Sequence, residues 1–210
     1  MIEIRASDSG KMPLELRAES LVGWDFRRLN LAGANFSELQ MSKADFGHAM
    51  LSASDFREAV LTEAQFWSAI LTNLRFDKGR LQNADFRDAA LVNISFRGAD
   101  LSGASFRHAR IVNADFTEAN LRDADFTMAA LSGTFRKADL TGVDLRMADI
   151  RDADLNEAQL LGAKLAGVKI RRSDLSTQQW RQFRVGKKLG TVPLPAIQPV
   201  HRRAWWHFWS

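Results

Sequence analysis

Few residues of this chain have the type and spacing for chemistry. Cysteine and tyrosine are absent, and histidine occurs only at His48, His108, His201 and His207. Without thiols there is neither a disulfide framework nor a thiolate metal site, which fits a reducing compartment. Carboxylates recur in a column at Asp25, Asp45, Asp85, Asp125 and Asp144, interleaved with Arg27, Arg87, Arg107 and Arg146. Stacked carboxylates could imitate the phosphates of a nucleic acid. Interleaved arginines neutralise such a stack, and Asp is also a common turn-forming residue. The chain ends in Arg202-Arg203-Ala204-Trp205-Trp206-His207-Phe208-Trp209-Ser210. That mixture suits a membrane interface, stacking on a nucleic acid, or a fold-back cap.

These residues are positioned by a repeat of five. From Leu21 and Phe26 to Phe126 and Leu131, every fifth residue is Leu, Phe, Met or Ile without a break. The frame then slips by one residue at Ser132-Gly133-Thr134-Phe135 and resumes through Leu140, Leu145, Ile150 and Leu155 to Leu175. Two residues before each centre a small residue is usual (Ala44, Ala64, Ala84, Ala104), and Asp or Asn often directly precedes the centre (Asp45, Asp55, Asp85, Asp125). No amphipathic helix or strand has this period. The unit, A-(D/N)-(L/F)-x-x, resembles the pentapeptide repeat family over about three quarters of the chain.

The resemblance implies an all-β solenoid, a right-handed quadrilateral parallel β-helix of about eight coils, with a short C-terminal helix and an extended tail. Each pentapeptide then makes one side of a square coil, and coils stack at about 4.8 Å. The centres point inward, and only small residues should fit at the corner before each of them. Phe and Leu alternate, so Phe should form two ladders on opposite sides, one of them Phe26, Phe46, Phe66, Phe86, Phe106 and Phe126. The slip near Gly133 should be a local kink or a tightened corner.

Outside the repeat, Leu16 keeps the frame, so an irregular coil or a strand begins there. Ser176 can cap a helix over Thr177–Val185, and Thr191 to Pro195 reads as extended chain. The expected division is an N-terminal cap (1–20), the repeat body (21–175), a capping helix (176–190) and a basic, Trp-rich tail (191–210). The formal charge of +4 is unevenly spread. Residues 21–175 hold 20 Lys/Arg and 21 Asp/Glu, whereas residues 176–210 hold six basic residues and no acidic one. The N-terminus has no apolar signal-peptide core, and no stretch has the length of a membrane-spanning helix. The chain is expected to be cytoplasmic.

Functionally, His48 and His108 fall on one face three coils, or roughly 14 Å, apart, too far for a shared metal ion. No catalysis, cofactor or metal is expected. One Leu face is more informative. Its outward residues include Met50, Ile70, Ala90 and Ala130 before the centres and Val92 and Val112 after them, with few charges until Arg110. An apolar stripe on a polar rod marks a partner surface or a dimer contact, although β-branched residues also simply favour strands. The expected function is a non-catalytic protein-binding scaffold. Its contacts are this stripe and the tail residues Arg202, Arg203, Trp205, Trp206, Phe208 and Trp209. The partner is another protein or a second copy, nucleic acid being disfavoured and the tail suiting a peripheral membrane contact. The alternative comes from the resemblance: some family members protect DNA gyrase and topoisomerase IV from inhibitors by mimicking DNA, which would require a strongly acidic body.

Overall fold

The computed structural model describes residues 2–6, 14–18 and 20–170, and among them every regular element is β. Strands β1 (Ile2–Ala6) and β2 (Leu14–Ala18) pair antiparallel, with Ile4 opposite Leu16. The element expected at Leu16 is therefore a strand, held in a hairpin. The helix and tail expected over 176–210 lie outside the described residues.

From Leu21 onward the chain turns a corner every five residues. The N–H of Trp24 donates to the Leu21 carbonyl at 3.2 Å, Ala34 to Leu31 at 3.1 Å, and Ala44 to Met41 at 3.1 Å. The residue two past each centre has a positive φ, such as 57° at His48, 58° at Glu58 and 54° at Asn113. An i to i+3 bond with positive φ at the third residue is the signature of a type II turn. Asn, Asp and His tolerate that conformation better than most residues, which accounts for His48 and His108 at such corners. Four corners bring the chain once round, because bridged partners lie 20 residues apart: Asp25 with Asp45, Asn30 with Met50, Asn35 with Asp55, Gln40 with Val60, all parallel. The fold is a parallel β-solenoid.

Regular strands form on one side of it. Beyond the hairpin, β3 (Ile70–Thr72), β4 (Ala90–Val92), β5 (Arg110–Asp115), β6 (Ala130–Thr134) and β7 (Asp149–Asp154) stack in chain order as a five-stranded parallel sheet. These strands span four turns, and isolated bridges continue the same pairing outward to Asn30–Met50 and Asp149–Lys169.

The core is a column of centres. All of them from Leu21 to Leu160 are buried, together with most of the alanines before them. Phe26, Phe46, Phe66, Phe86, Phe106 and Phe126 stack with centroids 4.6–4.9 Å apart and rings within 4° of parallel. A second ladder runs from Phe36 through Phe116 to Phe135. The ladders meet edge-on across the axis, as at Phe46–Phe56, 5.6 Å and 87°. Stacking along and edge-to-face contact across are both favourable aromatic geometries. One expectation is corrected. The corner before a centre is not confined to small residues: Leu74 and Ile94 occupy it one above the other, each 1% exposed.

The one-residue slip is absorbed by bulges. Ile111 pairs with Leu131 and Ala114 with Gly133, so Val112 and Asn113 face Ser132 alone. On the other side Ala130 pairs with Asp149 and Ser132 with Asp152, leaving Ile150 and Arg151 against Leu131. The short coil cuts its corner while both neighbours keep their length, and Ser132 Oγ accepts from the N–H of Asn113 at 3.1 Å. Gly133 makes this possible. Its φ is 132°, and a Cβ there would lie 2.0 Å from the Ala114 carbonyl oxygen. Gly23 also has positive φ (68°) but open space around a Cβ. Gly133→Ala should therefore cost about 3 kcal/mol or more, and Gly23→Ala about 1 kcal/mol. Urea denaturation of the two variants checks this, and equal losses would refute the account of the bulge.

Candidate interaction surface

Five backbone N–H groups per repeat need acceptors, and tracing them explains the Asp columns. In the repeat centred on Phe46, Ala44 closes a turn, and Asp45 donates to Trp24 in the coil on the N-terminal side. Phe46 donates to Gln65, and His48 to Trp67, in the coil on the C-terminal side. The fifth donor, on Gly47, has no backbone acceptor, and the Asp45 carboxylate takes it at 2.8 Å. The same bond recurs at Asp25–Arg27, Asn35–Ser37, Asp85–Arg87, Asp125–Thr127 and Asp139–Thr141. Asp and Asn precede the centres because they supply the acceptor that the coil lacks.

Each carboxylate of the column Asp25, Asp45, Asp85, Asp125 and Asp144 also has a cation. Arg27 lies 2.6 Å from Asp25 and 3.6 Å from Asp45, Arg87 2.6 Å from Asp85, Arg107 3.2 Å from Asp125, and Arg146 2.8 Å from Asp144. The hydrogen bonds from Arg27 hold Asp25 at a pKa of about 2, below the usual 3.8, and those from Arg151 do the same for Asp149. At Asp144 burial pushes upward, but the side-chain and backbone bonds from Arg146 outweigh it and the net direction is down.

His48 and His108 stand exposed at separate corners. Trp67 lies over Gly47, where any Cβ would meet the indole at 2.6 Å, and edge-on to His48 with centroids 4.4 Å apart. This notch was missed in the sequence, although a Gly twenty residues before a Trp in the same column could have flagged it. Among the described residues no group of three or more His, Asp or Glu could hold a metal ion, and no helix is long and apolar enough to cross a membrane.

The stripe residues share the Leu31 side, the side that carries the regular sheet. Met50, Ile70, Ala90, Arg110 and Ala130 form one column by successive pairing, and Thr72, Val92 and Val112 form the next. Met50 and Ile70 are 45% and 54% exposed, Ala130 is exposed, and Ala90, Val92 and Val112 are half-buried. From Asn30 to Ser132, Arg110 is the only charged residue of this side. One edge is an amide ladder that the sequence reading did not find. Asn93 donates to Asn73 at 3.0 Å, and Asn113 to Asn93 at 3.3 Å. The tail residues Arg202, Arg203, Trp205, Trp206, Phe208 and Trp209 lie outside the described residues.

A parallel solenoid with a five-residue corner spacing defines a class of repeat proteins, and the sequence comparison places the chain within it. Models for pentapeptide repeats match residues 20–47, 40–77 and 138–176, and a model for a pentapeptide repeat region matches 69–134. The chain belongs to the pentapeptide repeat family. No curated protein matches it. Among solved structures it is similar to a pentapeptide repeat protein from the Arabidopsis thaliana thylakoid lumen, with 31% identity, a TM-score of 0.40, and coverage of 49% of this chain and 68% of that one. It is also similar to trypsin-treated QnrB1, a plasmid-mediated fluoroquinolone resistance protein (23% identity, TM-score 0.49, 81% and 97% covered). HetL from the cyanobacterium Nostoc sp., involved in heterocyst differentiation regulation, is a third (24%, 0.29, 77% and 88%). These likenesses carry no argument about what the chain does.

Two predictions follow from the Asp bonds. Asp85→Ala removes the acceptor of the Arg87 N–H and should cost about 1 kcal/mol. Asp85→Asn keeps the acceptor and loses only a pair whose arginine is half-exposed, so it should cost less than half of that. Equal losses in urea denaturation would assign the effect to the ion pair. Second, carboxyls held at about 2 (Asp25, Asp149) are ionised in the folded chain at pH values where the unfolded chain, near 3.8, takes up protons. Their stabilisation is present above the unfolded value and is lost as pH falls towards 2. The melting temperature should drop between about pH 4.5 and 2, and a rise over that range would contradict the paired-carboxylate picture.

Proposed function

We propose that this protein is a non-catalytic protein-binding scaffold whose contact surface is the Leu31 side of the solenoid, in a cytoplasmic setting. The supporting observation is the combination on that side of a parallel sheet, near-absence of charge, and two exposed large apolar residues, Met50 and Ile70. Parallel sheets usually have both faces covered, and an apolar patch on an otherwise charged surface is a typical contact site. The tail contact expected from the sequence, Arg202 to Trp209, belongs to the same proposal as a second surface.

The alternative, protection of a type II topoisomerase by DNA mimicry, has less support. A mimic of duplex DNA needs unneutralised charge at regular spacing, and the carboxylate column is paired with arginines throughout.

Affinity capture with the tagged full chain, a chain ending at Gly190, and the Met50→Asp/Ile70→Asp double variant separates these readings. A partner retained by the truncated chain and lost by the double variant is the expected result. Loss with the tail alone would move recognition to Thr191–Ser210. Recovery of gyrase or topoisomerase IV subunits by all three proteins would favour the protection reading.

A further inference from the structure

The relief and charge of the Leu31 side narrow what can bind there. Along its outer column the side chains read Met50, Ile70, Ala90, Arg110, Ala130, with rungs about 4.8 Å apart. Ala90 is thus a low point between two tall neighbours, and Val92 and Val112 give it an apolar flank. One rung further on, no ion pair or hydrogen bond engages the Arg110 guanidinium among the described residues. Arg87, Arg107 and Arg146 on the adjoining side are all bound to carboxylates. The acid at the nearest corner, Asp88, forms no ion pair with Arg110.

We propose that this side receives an amphipathic helix of a partner protein, which sets one apolar side chain over Ala90 and a carboxylate against Arg110. The inference rests on the reading of this side as the contact surface and names its occupant. Width fits: about three extended residues across, roughly 10 Å, is close to the 10–12 Å diameter of a helix. Spacing fits as well, since residues i and i+4 of a helix lie about 6 Å apart along its axis, within side-chain reach of adjacent rungs.

A second copy is the less suitable occupant on two counts. Between Asn30 and Ser132 this side holds no carboxylate, so two copies meeting face to face would cover both Arg110 side chains with no acid on either face to neutralise them. The patch is also small. About 10 Å by 20 Å falls well short of the roughly 800 Å² per partner buried in a standard interface.

The test is selection of a phage-displayed random-peptide library, about 16 residues or some four helical turns long, on the immobilised full chain. Enriched peptides are then measured by fluorescence anisotropy against the full chain and its Ile70→Asp and Arg110→Glu variants. Enriched sequences should carry an acid three or four positions from a large apolar residue. Arg110→Glu should weaken them about tenfold or more, and changing that acid to lysine should restore binding to Arg110→Glu. Peptides that lack the acid, or that bind Arg110→Glu unchanged while losing Ile70→Asp, overturn the proposed partner chemistry and leave the contact surface standing. A library that yields no peptide sensitive to either variant sinks both. Sedimentation of the full chain alone should give no Ile70-dependent dimer, and a dimer abolished by Ile70→Asp would show the second copy to be the occupant.

Discussion

Everything in this solenoid depends on how five backbone donors are satisfied in a repeat of five residues. Three N–H groups reach neighbouring coils and one closes the corner, which leaves one over. Had that donor been left to water at every repeat, the corners would be held less firmly. Where an Asp or Asn precedes the centre, as at Asp25, Asp85 and Asp154, its side chain takes that donor instead. That single bond explains why the repeat carries an acid or an amide at a fixed place. It also bears on function, because the same carboxylates would otherwise read as a charged recognition surface.

Stacking carboxylates creates a second constraint. Like charges one rung apart, near 4.8 Å, repel by about 1 kcal/mol even in water. The Phe26 side meets this by threading arginines into the ladder, some within one repeat, as Arg87 with Asp85, and some one coil away, as Arg107 with Asp125. Such pairs are exposed on the arginine side and add little individually. Their main effect is to let a ladder of acids exist, so that the backbone bonds they accept can repeat.

The core was legible in the sequence because inward position depends only on the period, which is why the centres from Leu21 to Leu160 and both Phe ladders fall where the spacing puts them. The slip at Ser132–Phe135 was legible as a missing residue, but its consequence was not. Whether a short coil kinks or bulges is decided by residues twenty positions away, Ala114 and Asp152, whose strands must keep their own length. The same blindness to the neighbouring coil hid Trp67 over Gly47, the Asn73–Asn93–Asn113 ladder, and the stacking of Leu74 on Ile94. In a solenoid the informative neighbour is one coil away, and a linear reading of single repeats does not bring it alongside.

Avoidance of like-charge repulsion alone could make a side uncharged, so the Leu31 side needs a further reason to be a contact surface. Its β-branched residues, Ile70, Thr72, Val92 and Val112, favour the regular strands found there and would do so in a purely structural wall. Such a wall, however, is served as well by Thr and Asn, as the columns at Thr72 and Asn73 illustrate. Met50 and Ile70 gain little from the fold, being about half exposed, and Met has no special preference for strands. Large apolar side chains held out into water by adjacent rungs of a rigid sheet are unfavourable for the isolated chain and favourable only when covered. Exposed apolar side chains also stand elsewhere, as at Met128 and Met147; what separates the Leu31 side is that its pair adjoins a parallel sheet on which Arg110 is the one charge between Asn30 and Ser132.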